Sequence, residues 1–134
     1  MAQGLQQKSV MKILLISNDI VLIEKFRNPD IVFENIFTVY DKNNDLLDIM
    51  SFVLDNHPSV MIVDHDFLKP NSARIISSIK NALPKISIIF VTSDDSHTLG
   101  REISPLGIQY YAIKPVDIND MKDLIASIAK IKVS

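Results

Sequence analysis

The strongest constraint on the fold is an alternation of five short apolar runs with segments whose apolar residues have helical spacing. The first run, residues 12–16, has no polar alternation, which is typical of a strand buried on both faces of a parallel sheet. The predicted strands span residues 12–16, 36–40, 60–63, 86–91 and 109–113. Strands that alternate with helices and are joined by right-handed crossovers predict a doubly wound α/β domain, in which helices cover both faces of a five-stranded parallel sheet.

Five helices are predicted between and after these strands, at residues 20–27, 45–56, 73–82, 96–104 and 117–130. The helix at 96–104 is predicted to be weak, because Gly100 lies inside it. Residues that can cap the first turn precede three of the helices: Asn18 or Asp19, Asn43 and Asn44, and Asp117.

Length and composition limit the protein classes to consider. The 134 residues, of which 47% are hydrophobic, predict one globular domain at residues 11–134 after a disordered polar leader at residues 1–10. No apolar run is long enough to span a bilayer, and no secretory signal opens the chain. The absence of cysteine fits the reducing cytoplasm. A net charge of −2 without a basic cluster predicts no nucleic-acid partner, and no output domain is expected after Lys130.

Polar residues follow the apolar strands at the point where each strand ends. In a doubly wound sheet, ligands bind outside the carboxyl ends of the strands. Carboxylates, a hydroxyl and a lysine are therefore expected to meet at one edge of the sheet. Oxygen ligands suit a hard cation such as magnesium (Mg2+), and the lysine and hydroxyl suit an anion carried by that cation. This set could stabilise phosphoryl transfer onto a carboxylate nucleophile. Its members are Ser17, Asn18, Asp19, Asp64, Asp66, Thr92 and Lys114.

Four segments in order along the chain each end at or just after a predicted strand. They are KILLISND at 12–19, PSVMIVD at 58–64, IIFVTS at 88–93 and GIQYYAIKP at 107–115. Together they resemble the first strand, phosphoacceptor strand, Thr/Ser strand and Lys-Pro motif of bacterial response-regulator receiver domains, which have the flavodoxin-like fold. The similarity covers nearly the whole chain, from Lys12 to about Lys130.

The resemblance implies a response regulator rather than an enzyme. A sensor histidine kinase or a phosphotransfer protein would donate a phosphoryl group to Asp64, assisted by Thr92 and Lys114. Tyr111 would follow Thr92 as a switch residue and change the face presented to a downstream protein target. A homodimer is compatible with this interpretation. The Mg2+ ligands that the resemblance implies are Asp64, Asp19 or Asn18, and the backbone carbonyl of Asp66.

Two departures from the family pattern leave alternatives open. Receiver domains usually have two consecutive acids after the first strand, whereas this chain has Ser17 and Asn18, with the acid one place later at Asp19. Ser17 is expected to cap a helix or to bond water, and Asp19 could be a helix cap, a metal ligand or both. Pro70 lies six residues after Asp64, as if two residues were inserted, so counting back from Pro70 selects Asp66 instead.

These departures support a second interpretation, a pseudo-receiver that binds a partner without being phosphorylated. A third possibility, a cofactor-binding protein of flavodoxin type, would need a phosphate-binding loop after the first strand. The segment from Ser17 to Ile20 is not such a loop.

Overall fold

Five parallel strands in the order β2-β1-β3-β4-β5 form the centre of the molecule. The structure is a computed structural model that describes residues 10–29 and 35–133. The strands are β1 (Lys12–Ile16), β2 (Ile36–Tyr40), β3 (Val60–Asp64), β4 (Ser87–Thr92) and β5 (Tyr110–Ile113). The predicted five-stranded doubly wound α/β fold is therefore confirmed, whereas the predicted leader at residues 1–10 lies outside the described residues except for Val10, which is exposed.

Six α-helices and one 3-10 helix connect or follow these strands in the described part of the chain. They are α1 (Ile20–Phe26), α2 (Leu46–Asn56), α3 (His65–Leu68), α4 (Ser72–Ala82), α5 (His97–Ile103), the 3-10 turn Ser104–Leu106, and α6 (Ile118–Val133). None of the described helices is both long enough and apolar enough to cross a membrane.

Strand β1 shows why the sheet is covered on both faces. Ile13 and Leu15 pack on the face covered by α1 and α6, and Leu14 and Ile16 pack on the face covered by α2, α4 and α5. All four side chains are at most 1% exposed. A strand without polar alternation is stable only in such a position, since either face would otherwise expose apolar surface to water.

The order of the strands fixes the place of a binding site. β1 pairs with β2 on one side and with β3 on the other, so the connections leave β1 toward opposite faces of the sheet. A crevice forms outside the carboxyl ends of strands at such a switch point, and ligands of doubly wound domains bind there. Ser17 and Asp64 lie at this point, because Ile16 is the register partner of Val63.

Two local features differ from the sequence-based expectations. Residues after Asp64, predicted to be a loop, form the short helix α3, whose Leu68 is fully buried. The side chain of Asp64 accepts a hydrogen bond from Asp66 N and so caps this turn. Helix α2 is capped by Asp45 rather than by Asn43 or Asn44, and the Asn43 side chain instead bonds the backbone of Asp45.

Candidate functional site

Asp64 is the buried centre of the polar cluster at the carboxyl edge of the sheet. Asp64 ends β3 and is 1% exposed. Its polar neighbours are Ser17, Asp66 and Lys114. Oδ1 accepts a hydrogen bond from Asp66 N at 3.0 Å. Oδ2 accepts one from Ser17 Oγ at 2.6 Å and one from Lys114 Nζ at 3.0 Å. A carboxylate this far from water is stable as an anion only with such partners.

Lys114 joins three carboxylates at once. Its ammonium nitrogen lies 2.9 Å from Asp19 Oδ2, 3.0 Å from Asp64 Oδ2 and 3.0 Å from Asp66 Oδ2. The backbone holds the lysine in place, since Lys114 N donates to Thr92 O at 2.8 Å. Partial burial alone would lower the pKa of Lys114, but hydrogen bonds to Asp19, Asp64 and Asp66 outweigh it and raise the pKa well above its usual range. Lys114 is therefore a fixed cation in the site.

Asp19 both caps α1 and faces the site. Its Oδ1 accepts a hydrogen bond from Leu22 N at 3.2 Å, and its Oδ2 bonds Lys114. The hydrogen bond from Lys114 is the main reason why the pKa of Asp19 is lowered. The interpretation of Asp19 as a helix cap is thus confirmed, and its role as a metal ligand stays a prediction. Asn18 precedes it and is exposed to solvent.

Ser17 has a structural role that the sequence did not indicate. It is fully buried, and its hydroxyl donates to Asp64 Oδ2 while accepting a hydrogen bond from Asp19 N at 3.0 Å. The expected contact with water or a helix cap is therefore replaced by a direct bond to the central carboxylate. The sequence places Ser17 one residue after β1, among the polar residues expected at this edge of the sheet, but its bond to Asp64 depends on how β1 pairs with β3.

Asp66 places a third carboxylate against the end of β4. Its Oδ1 accepts a hydrogen bond from Ser93 N at 3.2 Å and a longer one from Thr92 Oγ1 at 3.4 Å, and its Oδ2 lies 3.1 Å from Ser93 N. Partial burial would raise the pKa of Asp66, but the bonds from Lys114 and Ser93 together lower it. The sequence suggested Asp66 as a backbone metal ligand or as the alternative acceptor, and its side-chain contacts with Thr92, Ser93 and Lys114 are a finding of the structure.

Solved structures with the same architecture identify the fold. The chain superposes with a TM-score of 0.78 on a CheY-like response regulator receiver domain protein from Methanospirillum hungatei, at 15% identity, covering 93% of this chain and 98% of that one. The chain has the receiver-domain fold. The isolated receiver domain of RcsB from Salmonella enterica, solved with the phosphomimetic BeF3-, is similar at a TM-score of 0.74, 18% identity and coverage of 91% and 90%.

A phosphorylated cyanobacterial phytochrome response regulator, RcpA, is similar at a TM-score of 0.70 and 13% identity, with 94% of this chain and 96% of that chain covered. Neither a protein-family model nor a curated protein sequence matches the chain. At these identities the comparisons establish the receiver fold, and the activity must be argued from the side chains.

The donor chemistry of the site fits a hard divalent cation. Three carboxylates face a single ammonium, so negative charge is in excess. The atoms that could bind a cation are all oxygens, which hard cations prefer. Over residues 10–29 and 35–133, no group of three or more His, Asp or Glu side chains has the arrangement of an assembled metal site. In this receiver fold the carboxylates are instead gathered around Lys114.

The two expected switch residues lie on the neighbouring strands β4 and β5. Thr92 is fully buried, and its hydroxyl accepts a hydrogen bond from Asp94 N at 2.9 Å. The ring of Tyr111 packs on Phe90 with 5.0 Å between ring centroids. Its hydroxyl is buried and has no hydrogen-bond partner in the described part of the chain, and burial raises its pKa. The Thr92 hydroxyl therefore contacts the polar cluster through Asp66, whereas Tyr111 packs against β4 through Phe90.

Proposed function

We propose that the chain is a receiver domain that accepts a phosphoryl group on Asp64. The observation that supports this most is the buried Asp64 carboxylate at the switch point of the sheet, with the fixed cation Lys114 at 3.0 Å. A cation held at this distance can stabilise negative charge that develops on a phosphoryl group during transfer. The similar structures that were solved phosphorylated or with a phosphate mimic supply an analogy for this chemistry.

In the proposed reaction, an oxygen of Asp64 forms a new O–P bond with a phosphoryl group carried on the imidazole of a partner protein. The P–N bond of that phosphohistidine breaks, and its electron pair stays on the imidazole nitrogen. The partner would be a sensor histidine kinase or a phosphotransfer protein. A bound Mg2+ would neutralise charge on the phosphoryl oxygens, and we expect Asp64, Asp19 or Asn18, and the backbone carbonyl of Asp66 to hold it.

The proposed output is a change in the surface formed by α5, β5 and α6. The Thr92 hydroxyl would turn toward the phosphoryl oxygens, and Tyr111 on the neighbouring strand β5 would follow it. Helix α5 can respond because it has only seven residues and carries Gly100 in its interior. The recipient of this signal would be a protein that docks on that surface.

A second candidate, a pseudo-receiver that binds its partner without phosphorylation, is favoured by one observation. Both oxygens of Asp64 already have hydrogen-bond partners within the chain, and the residue is 1% exposed. A nucleophile in this state must lose partners before it reacts. The two candidates differ in whether Asp64 can be modified at all.

Incubation with acetyl phosphate and Mg2+, followed by intact-mass spectrometry, separates them. We expect the wild-type protein to gain one phosphoryl group, and Asp64→Asn to gain none while retaining its circular-dichroism spectrum. Asp95→Asn is the matched control, since Asp95 is an exposed aspartate of the β4–α5 loop. Modification of Asp64→Asn but not of Asp66→Asn would identify Asp66 as the acceptor. No modification of the wild-type protein at any acetyl phosphate concentration would leave the pseudo-receiver as the function.

A further inference from the structure

Three hydrogen-bond donors converge at the end of β4 on one carboxylate, and the place where they meet is called the anion pocket. They are the hydroxyl of Thr92, the backbone N–H of Ser93 and the ammonium of Lys114. A hydroxyl, an amide and an ammonium that point to one place are a typical arrangement for binding the oxygens of an anion. In this chain the pocket already contains an anion, because all three donors bind the carboxylate of Asp66.

We propose that the Asp66 carboxylate is an internal anion that occupies the pocket meant for a phosphoryl group, and that it must leave before the pocket can bind an anion from outside. The proposal rests on the proposed function in one respect, the identity of the anion that competes with Asp66. The occupation of the pocket by a side chain of this chain is independent of whether Asp64 is ever phosphorylated.

The local backbone explains why Asp66 reaches the pocket. Asp64 Oδ1 caps the first turn of α3 by accepting the Asp66 N–H, and this turn carries the Asp66 side chain toward β4. The far end of α3 is held by Leu68, which is fully buried. The short helix lies within the stretch before Pro70 in which two residues are extra relative to the receiver pattern. This turn is therefore the element on which the competing carboxylate is mounted.

The carboxylate is held but can leave. The Asp66 side chain is 25% exposed, so its path to solvent is open, whereas Asp64 behind it is 1% exposed. Departure would break the contacts with Ser93 N and Lys114 and would release Thr92, whose hydroxyl is 3.4 Å from Asp66. Because the Asp66 carboxylate accepts a hydrogen bond from the Thr92 hydroxyl, it also orients this side chain toward itself. Asp66 is thus a positioning residue for Thr92 as well as a competitor for the pocket.

Binding of inorganic phosphate, followed by NMR of the backbone amide of Ser93, tests the occupation directly. We expect Asp66→Ala to bind phosphate at least about tenfold more tightly than the wild-type protein, since a hydrogen bond with a charged group contributes about this much to an equilibrium constant. Asp66→Asn keeps the shape of the side chain without its charge, so its phosphate affinity should lie between those of the wild-type protein and Asp66→Ala. The substitutions leave the backbone carbonyl of Asp66 in place, and thermal unfolding of each variant verifies that it is folded.

Asp95→Ala is the matched control, because it removes one carboxylate from the β4–α5 loop, where Asp95 is exposed. It should bind phosphate like the wild-type protein. Equal phosphate affinity in folded Asp66→Ala and wild type would overturn the proposal, and so would an equal gain in Asp95→Ala, which would reduce the effect to net charge.

Labelling with acetyl phosphate distinguishes this proposal from the proposed function. A faster reaction at Asp64 in Asp66→Ala than in the wild type supports both. Tighter phosphate binding without any labelling of either protein supports the internal anion and contradicts phosphorylation. Equal labelling rates together with equal phosphate affinities support phosphorylation and overturn the internal anion.

Discussion

Replacing Lys114 by methionine tests how strongly the site depends on one cation. Methionine has a similar length and no charge, so Lys114→Met leaves Asp64, at 1% exposure, without its only cationic partner among the described residues. Removal of one partner from a buried ion pair costs about 3–5 kcal/mol. The ion pairs of Lys114 with Asp19 and Asp66 add little to this cost, because these two side chains are 32% and 25% exposed and water screens their charges. Since Lys114 itself retains 16% exposure, the lower end of that range applies.

We therefore expect Lys114→Met to lower the free energy of unfolding by about 3 kcal/mol. With a typical dependence on urea, this moves the midpoint of urea unfolding by about 1–3 M. Urea titration followed by far-UV circular dichroism measures the change. Lys122→Met is the control, because Lys122 lies exposed on α6 and its loss should change stability by less than about 0.5 kcal/mol.

The double variant Lys114→Met/Asp64→Asn identifies the source of the loss. Asparagine has nearly the same shape as aspartate and no charge, so the double variant should recover most of the stability that Lys114→Met loses. A decrease of less than about 1 kcal/mol in Lys114→Met would refute the reasoning, since an exposed ion pair accounts for a loss of that size. A double variant no more stable than Lys114→Met would show that the loss comes from packing of the lysine stem and not from the charge of Asp64.

Three further predictions concern other parts of the chain. Asn18→Asp should tighten Mg2+ binding and Asp19→Ala should weaken it, because the first adds one carboxylate beside Asp64 and the second removes one. Calorimetric titration with Mg2+ measures both changes. Unchanged Mg2+ affinity in Asp19→Ala would leave that residue as a helix cap alone. Tyr111→Phe should leave stability to urea unchanged or raise it by up to about 1 kcal/mol, because it removes a buried hydroxyl without a partner, and a clear loss would reveal a bond to that hydroxyl. Gly100→Ala should raise the midpoint of thermal unfolding and Gly107→Ala should lower it, each by the equivalent of about 1 kcal/mol. A Cβ at Gly100 meets no atom within 4 Å, whereas Gly107 has φ +82° and a Cβ there would lie 3.3 Å from Lys80 Cε; equal shifts would contradict this difference.

The fold could be predicted because its determinants are local in the sequence. The run from Lys12 to Ile16 has no polar residue after its first position, and only burial on both faces of a sheet accommodates such a strand. Asp117 caps the last helix as predicted, with its Oδ1 accepting from Asn119 N at 2.8 Å. Helix α3 could not be predicted in the same way, because four residues with one buried leucine are too few to show a helical period.

The residues that form the site could be predicted from the sequence, whereas several of the hydrogen bonds between them could not. Strand ends brought Asp19, Asp64 and Lys114 together, because parallel strands meet at one edge and the sequence shows where each strand stops. The bond from Ser17 to Asp64 was not predictable, since it depends on the register of β1 against β3, which is a long-range property of the sheet. The same holds for the contact of Asp66 with Ser93, which joins residues 27 positions apart.

The sequence also allowed two aspartates to be counted as the central one, and the structure gives a physical reason for that ambiguity. Asp64 ends β3 and is buried against Ser17 and Lys114, as the position after the strand requires. Asp66 lies at the start of α3 and places its carboxylate on the donors of Thr92 and Ser93. Under the proposed function, Asp64 would be the nucleophile, and Asp66 would occupy hydrogen-bond donors that a phosphoryl group on Asp64 would use. Because Lys114 binds both at 3.0 Å, a phosphoryl group on Asp64 and the carboxylate of Asp66 would compete for the same cation. If Asp64 accepts a phosphoryl group as proposed, the extent of the response would depend on how readily Asp66 releases Lys114.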